Sequence, residues 1–161
     1  MPARYVPRVF DHGRLADDRP WLAMEWLGGG TLGQRLDAAP WSVAATAALG
    51  AAVARALAAT HAVGVVHRDV KPENVMLGRR EGVECVKVID FGIAKIFQPD
   101  GPAGAALTRT GVVLGTPEYM APEQAAGTTI DHRADLYALA VVVYEMTVGR
   151  RPFDHEDIMA L

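Results

Sequence analysis

Apolar positions form short runs at both ends of a long, Ala-rich stretch. Near the N-terminus, "RYVPRVFDHG" and "PWLAMEW" flank the polar turn "GRLADDRP", the pattern of two strands. "LGGGT" breaks them, and Thr31 to Asp37 reads as a short helix. "WSVAATAALGAAVARALAATHAVG" is long, Ala-rich and free of Pro. It predicts a mostly buried helix with Ser42 as N-cap and Gly64 as its stop. Three Val-rich runs follow, "GVVH", "NVML" and "CVKVID", each too short for a helix and each ending in polar loop residues. The stretch "GIAKIFQPDGPAGAALTRTGVVLGTPEYMAPEQ" holds Gly, Pro and Thr without a clear period. A loop that long inside a compact domain is functional or disordered. "DHRADLYALAVVVYEMTVG" predicts a last buried helix, with Asp131 as N-cap and Gly149 past its end. No internal repeat or low-complexity tract is present.

Composition narrows the class. The 161 residues fit one domain or a large part of one, and with 50% hydrophobic and 22% charged residues the chain is globular. A net charge of −3 and a pI of about 5.9 argue against a nucleic-acid or acidic-membrane binder. The "GRR" triplets at Gly78–Arg80 and Gly149–Arg151 read as solvated loop charge. One cysteine, Cys85, allows no internal disulfide and reads as a buried, inert thiol in a reducing, cytoplasmic setting. "MPARYVPRVFDHG" has no apolar core of a signal peptide. Arg55 interrupts the first apolar stretch before the roughly 20 residues a membrane span needs. "LYALAVVVYEM" is shorter still, between Asp135 and Glu145. Both read as core helices, so no span is expected here.

The chemistry concentrates in "HRDVKPEN", His67 to Asn74, set between two short strands. Sixteen residues after Asn74, "DFG" at Asp90–Gly92 ends another strand. Asp69, Asn74 and Asp90 therefore come from neighbouring loop tips, where a rigid scaffold presents polar groups. Their donors are all oxygen, which suits Mg²⁺ rather than Zn²⁺. Mg²⁺ held by one or two side chains shares its shell with substrate phosphates, and Lys71 can place a positive charge on one. His12, His61, His132 and His155 match no ligand spacing and read as surface or capping residues.

"HRDVKPEN", "DFG" and "GTPEYMAPEQ", in this order and spacing, resemble the protein kinases. Lys71 and "GTPEYMAPE" look like the serine/threonine branch. "MEWLGGGTL", "HAVGVVHRDVKPENVML" and "DLYALAVVVYEMTVGRRPF" are similar to bacterial kinases of eukaryotic type, so the likeness covers essentially the whole chain. It implies an α+β, protein-kinase-like fold: a mostly helical large lobe with short β-hairpins, plus a remnant of the small-lobe sheet. Residues 1–27 would be that remnant with the hinge. Residues 28–161 would be a partial large lobe, with the catalytic loop at 67–74 and the activation segment at 90–123.

The resemblance also implies roles. Asp69 would take or orient the proton of the substrate hydroxyl, and Lys71 would steady the γ-phosphate of ATP. Asn74 and Asp90 would hold two Mg²⁺ ions. Met24 would be the gatekeeper, with the backbone of Glu25 and Leu27 facing adenine and Met76 packing beneath it. On apolar pattern alone Met24 and Met76 read as core. Arg68 and Lys95 would receive a phosphate on Thr108 or Thr110, added by a second kinase copy, although these are equally ordinary loop threonines. Thr116 would seat the acceptor hydroxyl. His67, Phe91, Gly92 and Asp135 would be structural, Asp135 tying down the backbone at His67. Glu123 would pair with an arginine beyond Leu161.

No Gly-rich loop and no strand lysine precede Met24, so truncation at both ends is expected, with weak ATP binding, poor stability and exposed apolar helix faces. The implied reaction is transfer of phosphate from Mg-ATP to protein Ser/Thr hydroxyls. The implied partners are protein substrates, with no nucleic acid, and a parent chain anchored in a membrane by another segment stays compatible. A non-catalytic, pseudokinase-like binding module is the alternative. The intact Asp69, Lys71, Asn74 and Asp90 argue against it, and the missing lysine argues for it.

Overall fold

The computed structural model describes residues 4–36, 41–80, 83–91 and 117–153. Gly92, Lys95, Thr108, Thr110, Thr116 and His155 lie outside them.

The first two apolar runs pair as an antiparallel hairpin, β1 (Val9–Arg14) with β2 (Pro20–Met24), in register from Val9 opposite Met24 to Arg14 opposite Pro20. Its turn closes through Leu15 N–H to Arg19 O and Asp18 N–H to Leu15 O. Phe10 and Leu22 stay exposed, so the hairpin buries little apolar surface among the described residues.

A second sheet orders β3 (Gly29–Thr31), β4 (Val75–Arg80) and β5 (Val83–Val88), all antiparallel. Strand β3 falls inside "LGGGT", which reads as a breaker in sequence. Gly29 has φ 131°, and a Cβ there would lie 2.2 Å from the Leu77 carbonyl, so only glycine lets these backbones approach. Helix α1 (Leu32–Leu36) follows directly, with Thr31 Oγ1 accepting from Gln34 N–H at its start.

The long Ala-rich run is helix α2 (Val43–His61), capped by Ser42 Oγ on Ala45 N–H, with Gly64 three residues past its end at φ 77°. It is one-sided rather than mostly buried. Thr46, Leu49, Val53, Ala56, Leu57 and Thr60 face inward, at the i, i+3, i+4, i+7 spacing of one helical face. Val43 and many of the alanines stay exposed. By length and composition α2 could cross a membrane, yet Leu49, Val53 and Leu57 belong to the core.

After α2 the chain crosses Val65–His67 without forming the strand expected at "GVVH". Their donors are already used: Val65 N–H closes the helix end on Thr60 O, and His67 N–H goes to the Asp135 carboxylate. A strand ladder has none left at those positions.

Short helix α3 (Pro122–Ala125) precedes α4 (Arg133–Val148). His132 directly precedes α4 with helical dihedrals (φ −62°, ψ −17°) and makes no side-chain cap, so the capping oxygen comes from Asp131, as the sequence predicts. Asp131 accepts from Arg133 N–H at 2.8 Å. Gly149 ends α4 in the left-handed region at φ 78°. The core lies where α2 packs on α4 and β5, and includes Leu57, Val75, Val88, Tyr119, Val142 and Met146. Cys85 is half-buried rather than buried, within β5 opposite Gly78.

Candidate active site

The 67–74 loop leaves α2 and enters β4, and its backbone is pinned to α4. Asp135, 1% exposed, accepts from His67 N–H at 2.8 Å and Arg68 N–H at 2.7 Å. These donors use both carboxylate oxygens. A third group, His61 Nε2, lies 2.7 Å from Asp135 Oδ2. His61 is therefore no surface histidine, which corrects the reading by ligand spacing. It projects from the last turn of α2 onto the same anchor, with the exposed His132 ring 5.6 Å away.

His67 is fully buried and its tautomer follows from its partners. Nε2 lies 2.9 Å from the Ile89 carbonyl and must donate, while Nδ1 lies 3.2 Å from Asp69 N–H and must accept. Only the neutral ring satisfies both. Burial holds the His67 pKa below the usual imidazole range, outweighing the opposing pull of the Ile89 carbonyl and of Asp135, Asp69 and Asp90. In the unfolded chain this ring titrates near about 6.5, so below that pH the unfolded state binds the extra proton. Stability should therefore fall as pH drops below about 6.5 and go on falling to the lower folded pKa. In urea unfolding, His67→Gln should lose less stability between about pH 7 and 5.5 than wild type. Equal losses would clear His67 of the effect.

Asp69 sits within this frame, a quarter exposed. Its carboxylate is 3.3 Å from Lys71 Nζ and 3.1 Å from Asn74 Nδ2. The same Asn74 amide donates to the Asp69 carbonyl at 2.8 Å. Pro72–Asn74 form a tight single turn, and Asn74 O accepts from Ile89 N–H at 2.9 Å, tying the loop to the end of β5. Asp90 follows, exposed and at φ 56°, and the Phe91 ring packs 4.5 Å from the His67 ring. Arg68 (φ 66°) and Asp90 are both non-glycine residues in the left-handed region, a strain that persists only where the surroundings enforce it.

This donor set fits Mg²⁺. Asn74 spends its amide N–H₂ on Asp69, so its amide oxygen is the atom that can face a cation. Among the described residues no group of three or more His, Cys, Asp or Glu forms a self-contained metal cage. One carboxylate and one amide oxygen suit an ion that completes its shell with water and phosphate.

The stretch after β2 packs over the second sheet. Lys87 stands opposite Met76 in the β4–β5 register, so both side chains share one sheet face. From that face Lys87 Nζ reaches Glu25 Oε2 at 2.5 Å and the Val6 carbonyl at 3.3 Å. Met76 and Leu27 are half-buried, whereas Met24 is 45% exposed. The Glu25 N–H donates to Arg8 O at 2.8 Å, and the Arg8 N–H donates to the Glu25 carboxylate at 3.0 Å.

On the far side of Asp69, Pro117–Tyr119 and α3 close a small cleft against Arg68–Val70, with room for about one water. Tyr119 OH donates to Glu145 Oε2 at 2.5 Å. Burial and that carboxylate push its pKa up, so the phenol stays protonated. Arg151 pairs with Glu118 at 2.9 Å, and the Glu123 carbonyl accepts from both the N–H and the hydroxyl of Thr128.

Residues 8–160 match the family model described as the protein kinase domain. The chain belongs to the protein kinase family. It is 46% identical over 152 residues to the serine/threonine-protein kinase pkn3 of Myxococcus xanthus, covering 92% of this chain and 27% of that protein. It is 39% identical over 160 residues to PknL of Mycobacterium tuberculosis, covering 98% and 38% respectively. The PknI kinase domain of Mycobacterium tuberculosis superposes with a TM-score of 0.71 at 30% identity, over 98% of this chain and 57% of that one. The chain thus spans from about a quarter to two-fifths of these curated relatives. The kinase fold expected from "HRDVKPEN" and "DFG" is the fold found.

The structure brings Asp69, Lys71, Asn74, His67, Arg68 and Asp135 together and sets Asp90 and Phe91 beside them. Sequence reasoning missed Lys87, His61 and Gln124, each bonded to a partner more than fifty residues away. The one available signal was Lys87, a charge inside the apolar run "CVKVID".

Proposed function

We propose that the protein transfers the γ-phosphoryl group of ATP to serine or threonine hydroxyls of protein substrates. The carrying observation is the Asp69 carboxylate, held within 3.3 Å of Lys71 Nζ and 3.1 Å of Asn74 Nδ2 on a loop bonded to the strand that ends at Asp90. In this reading Asp69 accepts the proton of the attacking hydroxyl, and Lys71 carries the positive charge that meets the phosphate as negative charge shifts. Asn74 and Asp90 hold Mg²⁺, which when bound neutralises phosphate charge. The backbone of Glu25 and Leu27 meets the adenine edge, with Met24 as gatekeeper and Met76 packing beneath the ring. Thr116, Lys95, Thr108 and Thr110 keep the acceptor-seating and regulatory roles that the family pattern implies, with Arg68 facing the added phosphate and a second kinase molecule adding it. Residues 1–27 then contribute part of the small lobe and the hinge, and 28–161 part of the large lobe. Use of ATP implies a catalytic side in the cytoplasm.

The test is labelled phosphate transfer by the full-length protein to a mixed Ser/Thr peptide library. Transfer should require Mg²⁺, stop on adding EDTA, and fall by about 10³-fold or more in Asp90→Ala. Undiminished transfer by Asp90→Ala, or none by wild type, would overturn the reading.

A further inference from the structure

We infer that Gln124 is a positioning residue for the catalytic base, linking α3 to the peptide unit that aims Asp69. The inference rests on the kinase reading of Asp69. Its basis is how the Arg68–Asp69 peptide is held. The N–H of that peptide belongs to Asp69 and donates to His67 Nδ1 at 3.2 Å. Its carbonyl belongs to Arg68 and accepts from Gln124 Nε2 at 3.0 Å. The preceding peptide is held at Arg68 N–H by Asp135 at 2.7 Å. Arg68 is left-handed at φ 66°, so its backbone relaxes unless both neighbouring peptides are restrained. The plane before the Asp69 Cα fixes where its carboxylate points. Of these three restraints, Gln124 is the one that comes from the 117–125 segment.

Gln124 is itself held. It is 8% exposed, and its Oε1 accepts from Ala121 N–H at 3.1 Å. That bond settles the amide orientation, since Oε1 must accept and Nε2 must donate. The side chain is thus a bridge with one end on the backbone that opens α3 and the other on the peptide that aims the base. Placement of the 117–125 segment and aim of Asp69 become one event. Asn at this position is one methylene too short to span both groups. Glu keeps the acceptor for Ala121 and loses the donor for Arg68.

The test uses the full-length protein with Gln124→Glu and, as a second variant, Gln124→Met, which keeps the size and loses both bonds. Both should lower kcat per folded molecule by about tenfold or more, the scale of a small misplacement of a reacting group. KM for ATP should stay within about twofold, because no ATP contact is touched. Amide exchange at Asp69 should quicken in both variants. If the Ala121 bond alone mattered, Gln124→Glu would keep wild-type kcat, and that result overturns the inference. A rise in ATP KM that accounts for the whole loss also overturns it. Failure of wild type to transfer phosphate would instead strike the kinase reading, and this role with it.

Discussion

Replacing Asp69 by asparagine is expected to lower kcat by about 10²–10⁴-fold while leaving the fold and ATP affinity near wild type. The substitution keeps the shape and removes the carboxylate that, in the proposed function, accepts a proton. The loop should hold its course because its backbone is restrained by groups other than the Asp69 side chain. Asp135 holds the N–H groups of His67 and Arg68, Gln124 holds the Arg68 carbonyl, and Asn74 holds the Asp69 carbonyl. The substitution does abolish the ion pair with Lys71, whose Nζ lies 3.3 Å from the carboxylate. The partners are 19% and 24% exposed, so its removal is a modest stability change. The effect is therefore kinetic, and steady-state transfer beside thermal unfolding separates the two. Wild-type kcat in this variant would remove Asp69 as the base.

Much of this site is readable because its signals are local. Ser42 and Gly149 mark helix ends through their own backbone chemistry, and the inward face of α2 declares itself by spacing. "HRDVKPEN" and "DFG" carry their residues within a few positions of one another. What stays hidden depends on distant partners. "GVVH" has strand composition, but Thr60 and Asp135 take its donors. Lys87 alternates with Val86 and Val88 as a solvent-facing lysine would, yet Glu25 arrives from the link after β2 and allows its burial. Gln124 follows "APE" as an ordinary amide until the fold sets it beneath Arg68. The apolar pattern overstates the burial of α2, because alanine suits an exposed helix face as well as a core. Apolar content predicts the helix and not which side is covered.

Asp135→Ala should be the most damaging single change to the large lobe, costing about 2–5 kcal/mol. The carboxylate satisfies two backbone donors at once, and its side chain is fully buried. Removing it strands the N–H groups of His67 and Arg68, and a buried donor left unmade costs about 1–3 kcal/mol. It also removes the partner of His61, which lies 2.7 Å away. Against a typical domain stability of about 5–15 kcal/mol, this is a large fraction. Asp135→Asn should cost less, about 1–3 kcal/mol, since its one carbonyl oxygen can still serve one N–H while its amide faces the other. The damage should begin at the loop, because Arg68 is held left-handed from both sides and loses one of them. Amide exchange at His67 and Arg68 should therefore quicken more than exchange in the middle of α2 or α4. Urea unfolding with residue-resolved exchange measures both effects. A change below about 0.5 kcal/mol in Asp135→Ala would mean the loop is held by other means, since surface substitutions away from such features fall in that range.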